Sequence, residues 1–79
     1  MLKITAIDGA VFIAPDYRQA ADAMWRDEWH PPKQLEGWMA RVADRVGQMT
    51  GEQVRREDPE AFLLDLQRLG FVTIDNRVA

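Results

Sequence analysis

The chain carries one histidine, His30, and its other proton-moving or metal-ligating groups are its 13 aspartates and glutamates. A metal site needs several ligands converging on one point, so a lone histidine with scattered carboxylates predicts none, and His30 is expected to be structural or incidental. Glu57, Asp58 and Glu60 are close enough in sequence for acid/base work or a hard cation. They also flank a predicted helix start, where the helix dipole favours negative charge, and that accounts for them without a ligand. Neither cysteine nor serine occurs, which removes thiolate chemistry and both Ser-His-Asp and Cys-His nucleophilic catalysis. Gly47 and Gly51 lack the Lys-Ser/Thr pair and the preceding strand of a phosphate-cradling loop. The expectation is a protein without cofactor or metal, and not an enzyme.

Two groups of residues remain as binding candidates. The first is Trp25, Trp29, His30 and Trp38, with Met24, Pro31, Pro32 and Met39 beside them. Three tryptophans exceed what a minimal core demands, and large amphipathic side chains are enriched at contact surfaces. The alternative is that all three fill the core. The second group is Arg41, Arg45, Arg55 and Arg56. Arg41 and Arg45 repel one another one helical turn apart, and Asp44 lies within reach of Arg41. That makes either a solvated mixed-charge face or a docking point for an acidic partner or nucleic acid.

Positioning these side chains falls to a small set of elements. Leu2, Ile4 and Ala6 alternate with Lys3 and Thr5, and Val11-Phe12-Ile13 follows Asp8-Gly9, so residues 1–14 read as a β-hairpin with positive φ at both turn residues. Asp16 caps an amphipathic helix over 16–29, whose apolar positions are Tyr17, Ala20, Ala21, Met24, Trp25 and Trp29. It ends at His30-Pro31-Pro32. A second helix over 32–48 carries the stripe Leu35, Trp38, Met39, Val42, Val46 and Met49. Residues 52–57 are ambiguous, since Thr50 and Gln53 mimic a capping box, and an extended segment is favoured. Asp58-Pro59-Glu60 opens a third helix over 59–69 that directs Phe62, Leu63, Leu66 and Leu69 inward, exposes Glu60, Asp65, Gln67 and Arg68, and stops at Gly70. Residues 71–74 form a last strand, and 75–79 a loose tail. The fold class is α+β: one small antiparallel sheet covered on one face by three helices, in a single domain spanning 1–79.

The length of 79 residues allows one core and modest stability, or stability shared with a partner. A formal charge of −3 has the wrong sign for a protein that binds by neutralising phosphates, which disfavours nucleic acid. The apolar run from Ala10 to Ala14 is far too short to span a membrane, and a cytoplasmic location is the default. Self-association as a homodimer is expected if sheet edges or tryptophans are left exposed.

The helix and strand around Leu66-Gln67-Arg68-Leu69-Gly70-Phe71-Val72 resemble the recognition helix and wing of winged-helix DNA-binding domains. The exposed face expected for that helix is net negative, though, whereas groove readers present cations and amides. The stretch from Gly51 to Leu63, continuing to Leu69-Gly70-Phe71 and preceded by Ala40, Arg41, Val42 and Arg45, resembles small uncharacterised phage and prophage proteins. That resemblance covers the C-terminal half and brings no catalytic motif. It implies a compact accessory protein that regulates or inhibits a host protein by binding. The leading expectation is therefore a protein-interaction module, and the alternative a nucleic-acid-binding accessory domain.

Overall fold

Alternating residues at the start of the chain build the centre of the sheet. In the computed structural model, which describes residues 1–28 and 30–76, strands β1 (Leu2–Ala6) and β2 (Val11–Ala14) pair antiparallel, with Leu2 opposite Ala14 and Ile4 opposite Phe12. The final strand β3 (Val72–Asn76) pairs antiparallel with the other side of β1, giving the order β2-β1-β3. Its strand character continues through Asp75 and Asn76, two positions expected to be loose tail, because both have partners on β1 in Lys3 and Leu2.

The hairpin connection differs from the two-residue turn expected. Ala6 donates to the Ala10 carbonyl at 2.8 Å and accepts from the Gly9 N–H at 2.9 Å, so the loop holds Ile7, Asp8 and Gly9. Only Gly9 has positive φ, at 95°, while Asp8 uses its carboxylate to accept from the Ala10 N–H at 3.0 Å. This is a type I turn closed by a glycine bulge, which needs one left-handed residue where the shorter turn needs two.

Three helices cover the inner face of the sheet. Helix α1 (Tyr17–Arg26) is capped by Asp16, whose carboxylate accepts from the Gln19 N–H at 2.8 Å. It closes at Arg26, before the expected Trp29, and Trp29 lies outside the described residues. Ala20 and Ala21 are fully buried, so the helix approaches the sheet on its smallest side chains. Helix α2 (Leu35–Thr50) begins three residues after Pro32, since Gln34 before it stays extended at φ −130° and ψ 148°, and runs two residues past Gln48. Its inward stripe holds Leu35, Trp38, Met39, Ala43 and Val46, with Val42 half-buried; Met49, expected in that stripe, is 60% exposed. Thr50 makes no capping box. Its hydroxyl donates to the Val46 carbonyl and accepts from the Glu52 N–H, so it finishes α2, and residues 52–56 have no regular secondary structure.

Helix α3 (Pro59–Arg68) starts as its sequence dictates, with Asp58 accepting from the Ala61 N–H at 2.8 Å and proline in the first turn. At its other end, Phe71 donates to the Leu66 carbonyl and Gly70 to that of Gln67, a Schellman closure in which Gly70 takes φ 85°. Phe62 and Leu63 are fully buried, and the core joins them to Leu2, Ile4, Ala14, Leu35, Trp38 and Val72. Asp65, expected at the surface, is buried at 6% exposure. It stands three positions after Phe62 and four before Leu69, on the inward side of the helix. The exposed residues of α3 thus include Glu60, Gln67 and Arg68 without a net negative face.

Candidate interaction surfaces

The tryptophans are positioned by the connection between α1 and α2. Trp25 is half-buried, its indole N–H donates to the Pro32 carbonyl at 2.7 Å, and the Arg26 guanidinium lies 5.3 Å from its ring centroid. Trp38 is 2% exposed, donates to the Glu28 carboxylate at 3.2 Å and packs edge-on to Phe62 with ring centroids 5.3 Å apart. The two indoles fasten the connector from both ends, each satisfying its polar N–H on a residue of that loop. Trp38 is therefore part of the core. His30 is exposed in the left-handed region at φ 56°, a conformation that histidine tolerates better than most residues.

The four arginines divide into two pairs. Arg55 closes a fork on Asp65: its Nε and Nη2 donate at 3.1 and 2.9 Å, and its backbone N–H donates to the same carboxylate at 2.8 Å. The Arg55 side chain, aided by its N–H, holds the Asp65 carboxyl down at about 2 against the opposing effect of burial, with Arg68 adding a weaker attraction at 4.0 Å. The same fork raises the Arg55 guanidinium above its ordinary value. Its evident work is structural, anchoring the 52–57 segment to α3. Arg56 lies 3.6 Å from Asp44, the acid the sequence had offered to Arg41, and both members of that pair are exposed.

Arg41 and Arg45 are exposed on α2, and no hydrogen bond or ion pair joins either to a described residue. Met49, exposed one further turn along, extends their side of the helix with a polarizable apolar group. Next to them an open groove of about 600 Å³ separates α2 from the 52–57 segment, bordered by Asp44, Gly47, Gln48, Gln53, Arg56 and Glu57. Its mixed charges give it no single electrostatic character.

Among the described residues, no group of three or more histidines and acids is placed to hold a metal ion, and no helix is long and apolar enough to cross a membrane. Comparison with protein-family models, with curated proteins and with solved structures found no match.

Sequence reasoning missed two features. The anchoring role of Asp65 was visible in its helical spacing to Phe62 and Leu69. The bare edge of β2 carried no sequence signal, because its status depends on which side of β1 the last strand joins.

Proposed function

We propose that this chain is a non-catalytic protein-interaction module whose α2 face, centred on Arg41 and Arg45, docks an acidic surface of a partner protein. One observation carries the reading: two arginines one turn apart have no ion pair with any described residue, while Arg55 and Arg56 both have internal acids. Mutual repulsion between them is relieved when an acidic surface arrives, and charge complementarity of this kind acts mainly on encounter rate and specificity. The resemblance of the C-terminal half to phage and prophage proteins supports a regulator or inhibitor of a host protein, working in the cytoplasm. Self-association through this face is disfavoured, since two copies would oppose arginine with arginine.

Capture from a host lysate followed by mass spectrometry supplies the partner, and the charge reversal Arg41→Glu/Arg45→Glu then tests the face. Affinity for that partner should fall about tenfold or more, with most of the loss in association rate and a weaker dependence on salt. Unchanged affinity refutes the assignment. A nucleic-acid-binding accessory role is the second reading, resting on the same two arginines. It predicts a low-salt gel shift that the double variant abolishes.

A further inference from the structure

Among the described residues, β2 has β1 on one side only. Because Ala6 donates to the Ala10 carbonyl and the ladder alternates, Ala10, Phe12 and Ala14 direct their backbone groups toward β1. The N–H and C=O groups of Val11 and Ile13 therefore point away from the sheet, and their side chains are 49% and 65% exposed on its uncovered face. Neither a charge nor a proline interrupts Val11–Ala14, although these are the usual means of blunting such an edge. The helix-covered side of the same edge has another character. A cleft of about 100 Å³ opens there against Phe12 and Met24, with Asp8, Asp27 and Glu28 among its walls. It lies at the C-terminal end of α1, where the helix dipole adds negative charge.

We propose that the free edge of β2 pairs with an extended segment of a partner protein whose outward side chains are apolar and whose inward side chain is a lysine or arginine, received by Asp8, Asp27 and Glu28. Main-chain hydrogen bonds to Val11 and Ile13 supply the pairing, and alternate side chains supply selectivity. Outward apolar groups cover Val11 and Ile13. The inward cation lays its methylene stem along Phe12 and Met24 and carries its charge to the carboxylates.

A second copy of this chain fits less well. Antiparallel pairing of β2 with itself uses both edge residues only in the register centred on Phe12. That register sets Asp8 of each copy against Asp16 of the other and brings alanine and phenylalanine, with no cation, to the acidic cleft. This surface is separate from the arginine face of α2 and stands or falls without it.

The test is a titration of the isotope-labelled chain with the synthetic peptide acetyl-Thr-Val-Lys-Val-Lys-Val-Thr-amide, followed by amide NMR and hydrogen exchange. The Val11 and Ile13 amides should shift and exchange about tenfold more slowly, and a peptide with glutamate for lysine should bind about tenfold more weakly. Asp27→Lys, at an exposed position, should narrow that preference, while Arg41→Glu/Arg45→Glu should leave peptide binding unchanged. Unmoved Val11 and Ile13 amides at millimolar peptide overturn the proposal, as does equal binding of the two peptides. Protection of these amides that grows with the concentration of the chain alone also overturns it, by showing a second copy on the edge.

Discussion

Along β3 the outward N–H of Ile74 is taken by the Gln67 side-chain carbonyl at 2.7 Å, whereas along β2 the outward groups of Val11 and Ile13 meet no side chain of the described residues. The contrast follows from how each strand is joined to its helix. Only Leu69, Gly70 and Phe71 separate α3 from β3, so a glutamine in the last turn of the helix lies beside the strand that follows. β2 leads into α1 through Pro15 and Asp16, and the Asp16 carboxylate is already committed to capping that helix. The α3 side is also tied by the Asp65 fork to the 52–57 segment, while the described contacts of β2 with α1 are apolar packing. An edge is covered where a polar side chain is both near and unemployed.

The comparison breaks most severely at the core the two edges share. Phe62→Ala should cost about 3–5 kcal/mol, a large part of the total stability of a domain this small. Urea denaturation followed by hydrogen exchange should show both edges losing protection together; loss confined to β3 would mean that the two sides open as separate units. Asp65→Asn comes next, at about 1–3 kcal/mol, because it leaves a charged fork facing a neutral amide. The Asp65 carboxyl is lowered from 3.8 to about 2 in the folded chain. Its contribution is thus complete above the unfolded value, near 4, and drains away as pH falls toward 2. Denaturation midpoints between pH 5 and 2 should fall less steeply in Asp65→Asn than in the parent. The smallest effect belongs to Gln67→Ala, about 1 kcal/mol. It should speed exchange of the Ile74 amide about fivefold and leave Val11 as it was, turning β3 into an edge like β2.

Much of this architecture is written in short-range signals. Asp16, Asp58-Pro59 and Gly70 mark helix ends through bonds made within a few residues, and strand alternation separates Ile4 from Lys3 without reference to the rest of the chain. What escaped was set by distant partners. Trp38 reads equally well as core or contact residue until Phe62 and Glu28 are placed beside it. Arg55 looks free until Asp65 turns inward ten residues later. The arginine face is legible in part: the sequence placed Arg41 and Arg45 on one side of a helix, but Asp44 chose Arg56 for a reason of tertiary geometry.

The pairing of Leu2 with Asn76 also fixes an order of events during synthesis. The hairpin of β1 and β2 leaves the ribosome before the helices and closes locally, yet its central strand has to wait for all three helices before acquiring its second neighbour. Throughout that interval the nascent hairpin is bare on both flanks, the condition in which strands find wrong partners. Gln67 emerges before Ile74, so the acceptor that seals the late edge is already in place when its donor arrives.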